Sequence, residues 1–211
     1  MKHQLFVLGR LAILTITFGT ARLGLGQDRM PAIPEQSMAP SQLAAIEELR
    51  RARGIEVRGP WIPLLRSPEL MNRARTMGDY LRYGSALPPR LSEFLILLTA
   101  RAWTQQYEWQ AHRDVAVEAG IDARTVEAIA AGRVPEPMDD EQAALHALFT
   151  ELHHDRAVSD TTYERALSLV GERGIVDAVG IIGYYTLLAM VMNTARTALP
   201  AGAEPELESL P

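Results

Sequence analysis

The chain has 211 residues, 47% of them hydrophobic, and a formal net charge of −5. That length holds one ordinary domain with a proper core rather than two large ones, and an acidic balance without a basic stripe argues against a nucleic-acid partner. Cysteine is absent, which excludes disulfides, zinc-thiolate sites and thiol redox catalysis together and leaves small-molecule chemistry or protein contact as the expected roles.

Met1-Lys2-His3 precedes an apolar run from Leu5 to Phe18 broken by Arg10, and Gly24-Leu25-Gly26 offers small residues suited to processing. Residues 1–26 therefore read as a secretory signal peptide, too short and interrupted for a membrane span. The expectation is an exported chain, periplasmic or secreted, with no stable membrane insertion after processing; a transit peptide or an uncleaved membrane tether is the alternative. Residues 27–40, rich in Pro, Gln and Ser, read as a linker.

The folded domain is expected over residues 41–200. A first helix is predicted from Ser41 to Arg53, stopped by Gly54. Gly59-Pro60-Trp61-Ile62-Pro63 is expected to be irregular. Ser67-Pro68-Glu69 reads as a capped helix start running to about Tyr83. Pro88-Pro89 opens an apolar helix to about Trp103, and a further helix is predicted from about Gln106 to Ala119, before Gly120. Asp122 caps a short helix, Asp139 or Asp140 starts one reaching about His154, Ser159 or Asp160 starts one reaching Val170, and a last long helix spans Ile175 to about Thr197. No segment alternates strictly over strand length, so the fold class is all-α, with about seven or eight helices. The tail 201–211 is expected to be disordered.

Chemistry concentrates in the middle of the chain. At about 100° per residue, Gln105, Glu108 and His112 fall within roughly 60° on one helix face. Glu108 and His112 are spaced i, i+4, so a carboxylate can orient and tune an imidazole for general acid/base work; the plainer reading is a surface ion pair. Glu93 sits in Leu91-Ser92-Glu93-Phe94-Leu95, where an acid among apolar residues is costly unless it lies near a helix start or is paired in a pocket. A metal triad of Glu93, Glu108 and His112 lacks a second histidine at ligand spacing, so no metal or cofactor is expected. His146, His153 and His154 read as structural, and Trp103 and Trp109 as core or subunit-interface aromatics. Tyr184 and Tyr185 are candidates to place a hydroxyl in a pocket, and Gly180-x-x-Gly183 permits close helix approach.

Three stretches resemble one family: Pro89-Arg90-Leu91-Ser92-Glu93, Tyr107-Glu108-Trp109-Gln110-Ala111-His112, and Gly183-Tyr184-Tyr185-Thr186-Leu187-Leu188-Ala189-Met190. From Ser67 to about Pro200 the chain is similar to the carboxymuconolactone decarboxylase and alkylhydroperoxidase-like superfamily. The resemblance implies an alkylhydroperoxidase-like helical fold assembled as a homo-oligomer, trimer or hexamer. In the peroxidase branch a glutamate precedes a Cys-x-x-Cys-x-x-x-His motif. Here Gln105 and Glu108 stand at the cysteine positions, while Glu93 and His112 match the acid and the histidine. Thiol peroxidase chemistry is thereby excluded, and the chain resembles the non-redox branch.

The resemblance implies cofactor-independent decarboxylation or isomerisation of a small lactone or carbonyl acid. Loss of CO2 delocalises electrons toward an unsaturated carbonyl, which calls for a proton donor to carbon and a polar group at the oxyanion. The expected roles are catalytic for His112, Glu108 and Glu93, and substrate-binding for Gln105, Tyr184 and Tyr185. Charge opposes a dicarboxylic substrate, since no cation is assigned to the site; Arg101 and Arg113 are the candidates, and a neutral lactone, enone or hydrated carbonyl compound fits as well. The alternative is a non-catalytic oligomeric binding protein that has lost the peroxidase cysteines.

Overall fold

Every residue from Leu91 to Arg101 is buried, and this stretch is the axis on which the rest of the chain packs. The computed structural model describes residues 28–208; the signal peptide expected at residues 1–26 lies outside them. The described residues form a short 3-10 turn, Glu35–Ser37, and eight α-helices. These are α1 (Pro40–Arg53), α2 (Trp61–Leu64), α3 (Pro68–Tyr83), α4 (Pro89–Ala102), α5 (Gln106–Glu118), α6 (Ala123–Ala130), α7 (Asp140–His154) and α8 (Asp160–Ala195). The fold is all-α: α4 lies at the centre against α5, α7 and α8, while α1 and α3 pack together on the flank.

Local chemistry sets most helix ends. Proline occupies the first helical position of α1, α3 and α4, where its missing N–H is not needed. Gly54 takes φ 64° and closes α1 with its N–H on the Arg50 carbonyl. Asp122 caps α6 by accepting from the Arg124 N–H at 2.8 Å, and Asp139 and Gln142 form a reciprocal capping box on α7. Ser67 stands at the start of α3, but its side chain makes no capping bond.

One sequence expectation changes in detail. Trp61–Leu64 is one helical turn rather than irregular chain; Pro60 and Pro63 both fall within the opening turn, where backbone N–H groups have no intrahelical partner to lose. The two helices expected before and after Val170 are both present, joined within α8 across a break at Gly171, whose φ 71° and ψ 172° only glycine adopts freely. α8 is long and apolar enough to cross a membrane, yet 56% of its apolar window is buried in this fold, as befits a core helix.

Residues 28–31 and 204–208 are more tightly held than a linker and a disordered tail imply. The Arg29 N–H donates to the Ala195 carbonyl at 2.7 Å, and Arg66 donates to the Pro31 carbonyl at 2.7 Å. The tail expected to be disordered from residue 201 instead lies against α5 as far as Glu208, with Leu207 buried. One buried leucine and a set of side-chain to backbone hydrogen bonds outweigh its Pro- and Glu-rich composition.

Candidate active site

α4 and α5 cross so that three ionisable side chains meet inside the protein: Glu93 from α4, and Glu108 and His112 from α5, each no more than 6% exposed. Glu93 Oε2 lies 2.6 Å from His112 Nδ1. A carboxylate on Nδ1 selects the tautomer with its proton on that nitrogen and leaves Nε2 turned toward the other acid. That nitrogen is 3.9 Å from Glu108 Oε2, beyond direct hydrogen bonding but within reach of a shared proton-carrying group. The ring is braced by Tyr185, edge-on at 5.1 Å between centroids, which in turn packs edge-on with Tyr184 at 5.2 Å.

Electrostatics separates the two acids. Burial pushes Glu108 up to about 8, with Arg82 opposing and Glu93 reinforcing the rise. Its Oε1 is buried without a hydrogen-bond partner. At neutral pH Glu108 is therefore chiefly a protonated acid, able to donate as well as accept. Burial likewise pushes Tyr184 up to about 12 and holds Tyr185 well above the ordinary phenol range, so both hydroxyls keep their protons.

A cavity of about 120 Å³ opens over this group. Glu108, His112, Tyr184 and Tyr185 form its floor, and the segment joining α1 to α2 forms its rim, with Arg53, Arg58 and Trp61. Arg82 completes the wall, its guanidinium 3.9 Å from Glu93 Oε1. Arg53 is held in place by Asp79 at 2.7 Å and stacks over Trp61 at 4.9 Å. Arg58 makes no side-chain hydrogen bond or ion pair among the described residues. Among these residues no group of three or more His, Asp or Glu is arranged to hold a metal ion.

Several sequence-based placements change. Gln105 is not a pocket donor: its carbonyl oxygen caps α5 by accepting from the N–H groups of Tyr107 and Glu108, and its amide donates to Asn193 at 2.9 Å. Gln105 holds the N-cap position itself, so its side chain serves the cap. Nor do Arg101 and Arg113 supply the missing cation. Arg101 donates to the Glu208 carbonyl, and Arg113 pairs with Asp114 and Glu206. The cations come instead from Arg53, Arg58 and Arg82, which sequence reasoning missed. Arg53 and Arg82 sit in the last turns of their helices, a position that composition alone assigns to the helix dipole. Trp109 is fully enclosed, Trp103 is half-exposed and donates to Thr186, and His153 stacks on Phe149 at 3.9 Å.

Residues 68–149 match the carboxymuconolactone decarboxylase family. No curated protein matches the chain. Solved structures share the fold. An uncharacterized peroxidase-related protein from Ralstonia eutropha JMP134, an alkylhydroperoxidase core, superposes with a TM-score of 0.67 at 15% identity, covering 82% of this chain and 92% of its own. A peroxidase-related protein from Silicibacter sp. TM1040 gives a TM-score of 0.64 at 17% identity, over 84% and 96% of the two chains. The debrominase Bmp8, as a cysteine-to-alanine variant bound to 2,3,4-tribromopyrrole, gives 0.61 at 13% identity, over 82% and 91%. Over residues 68–149 this chain, which has no cysteine, is therefore similar to the carboxymuconolactone decarboxylase family, and it shares the alkylhydroperoxidase-like fold.

Proposed function

We propose that this protein is a cofactor-independent acid/base enzyme that decarboxylates or isomerises a small lactone or carbonyl acid. The observation that carries the proposal is the pairing of a buried, protonated Glu108 with the free Nε2 of His112 at 3.9 Å. The two groups offer a proton donor and a proton acceptor on one cavity wall.

In the decarboxylation, the C–C bond to the carboxylate breaks and CO2 leaves. The electron pair enters the conjugated carbonyl as a dienolate, and the acid returns a proton to carbon. Arg82 beside the cavity offsets the developing negative charge. Isomerisation uses the same pair, His112 removing a proton from one carbon and Glu108 supplying one to another. Glu93 orients the ring and stabilises the imidazolium that forms.

The arginines remove the charge objection that the sequence raised. With Glu108 protonated and Glu93 engaged by His112, the cavity presents a positive rim, which suits an acid better than a neutral lactone. Its small volume suits one compact ring, and the debrominase of the same fold binds a small halogenated pyrrole. Export, and assembly as a homo-oligomer, remain part of the proposal; exposed Val176, Val179 and Met190 on α8 offer apolar surface for such assembly.

The test is turnover of a panel of small lactone and unsaturated carbonyl acids by the purified chain, followed by CO2 release and by proton exchange at carbon. Proton exchange or CO2 release on at least one member supports the enzyme. Saturable binding of such acids without either reaction points to the non-catalytic binding protein.

A further inference from the structure

The face of α5 turned away from the cavity is covered by the chain's own C-terminal segment, and the covering reads backbone as well as side chain. Gln106 brackets one residue: its Oε1 accepts from the N–H groups of Glu206 at 2.9 Å and Leu207 at 3.0 Å, while its Nε2 donates to the Leu207 carbonyl at 2.6 Å. Gln110 donates to the Glu204 carbonyl at 2.6 Å, and Arg101 to the Glu208 carbonyl at 2.7 Å. The Glu206 carboxylate accepts from Trp109 Nε1 at 3.2 Å and from Arg113 at 2.6 Å. Between these bonds the Leu207 side chain enters the core, 5% exposed, while its neighbours face solvent.

Backbone bonds for affinity, one apolar anchor and one charge read by an arginine are the elements by which proteins hold linear peptides. We propose that α5 and the end of α4 form a peptide-binding groove, that residues 204–208 are its detachable ligand in cis, and that the groove accepts the same acidic Glu-Leu segment in trans. The approach to the groove favours a releasable contact. The segment from Ala198 to Ala203 stands off the protein, leaving a cavity of about 740 Å³ bounded by the ends of α5 and α8. The segment is thus held at its far end and not along its length. A short tether supplies an effective concentration on the order of millimolar, so an intrinsically weak peptide stays bound in cis. Residues 204–208 lie outside the stretch matched to the family, residues 68–149, whereas Arg101, Gln106, Trp109, Gln110 and Arg113, which hold them, lie within it.

The consequence reaches the cavity through one helix. Gln106, Trp109, Gln110 and Arg113 hold the tail, while Glu108 and His112, interleaved with them on α5, carry the candidate chemistry. Occupancy of the groove therefore fixes the helix that positions both groups.

The experiment is amide hydrogen exchange on the full-length chain with Leu207→Asp, before and after adding a synthetic peptide of residues 200–208 at millimolar concentration. Exchange in α5 is expected to rise several-fold in the variant and to return toward wild type as peptide is added, saturably. Adding Gln106→Ala to the variant should abolish that return. Glu206→Gln keeps the leucine and gives a smaller rise that the same peptide reverses, so the test stands even where Leu207→Asp unfolds the chain. Unchanged exchange in both variants, or a rise that saturating peptide leaves in place, overturns the proposal and makes the tail a fixed part of the fold.

Discussion

Glu93 Oε2 and His112 Nδ1 are 2.6 Å apart, and this contact decides which face of the imidazole is available for chemistry. A carboxylate on Nδ1 fixes the tautomer and leaves Nε2 for the cavity. Glu93→Gln weakens that choice, because an amide can present either a donor or an acceptor to the ring. The expected outcome is a fall in kcat of about 10²–10⁴-fold with little change in KM. Long-range ¹H–¹⁵N spectra of the ring should show a single Nδ1–H tautomer in the wild type and a mixture in the variant.

Glu108 makes stability depend on pH in the direction opposite to a salt-bridged acid. Its native pKa is raised from 4.5 to about 8 by burial. Below 4.5 both native and unfolded chains hold the proton, so the group has no effect. Between the two values the unfolded chain releases the proton and the native chain does not, so stability falls as pH rises and the full penalty is present above about 8. The penalty is on the order of a few kcal/mol. Glu108→Gln, which mimics the protonated acid, should flatten this fall, giving a higher melting temperature than wild type at alkaline pH and a similar one at acidic pH.

Arg58 stands at the cavity rim with no side-chain partner among the described residues. Arg58→Ala should raise KM for an acidic substrate about 10- to 100-fold while leaving kcat nearly intact, as expected for one lost charge-assisted hydrogen bond. Arg82→Ala, deeper in the same wall and beside Glu93, should lower kcat as well. Steady-state kinetics of the two variants separates anchoring from chemistry.

The rim depends on one glycine. Gly59 has φ 54°, and a methyl group there would sit 2.2 Å from Tyr107 Cε1, a residue of the cavity wall. Gly59→Ala should destabilise the chain by about 1–3 kcal/mol, measurable by denaturant unfolding, and should displace the tyrosine ring.

The helical order of the chain is written locally. Pro68 and Pro89 open their helices, Gly54 and Gly120 follow theirs, and Asp122 and Asp139 cap, so the elements and most of their bounds follow from residues close in sequence. The i, i+4 spacing of Glu108 and His112 and the anomalous polarity of Glu93 also stand out in the bare sequence. The rest depends on distant packing. Arg58 and Trp61 reach the cavity only because the α1–α2 connection folds over Tyr107, and nothing in their neighbourhood announces it. Gln105 has the right helical angle for the pocket but sits one residue too early, where the backbone's need for a cap takes its side chain. The tail has the composition of a disordered segment, and its order rests on partners about a hundred residues away, such as Gln106 with Leu207.

The most direct measurement is turnover of a lactone-acid panel by wild type, His112→Ala and Glu108→Gln, with oligomer size and melting temperature recorded for each. The account predicts CO2 release or isomerisation by the wild type on at least one acid, lost in both variants while fold and assembly persist. No turnover on any member by a fully folded wild type, or equal turnover in all three proteins, would contradict it.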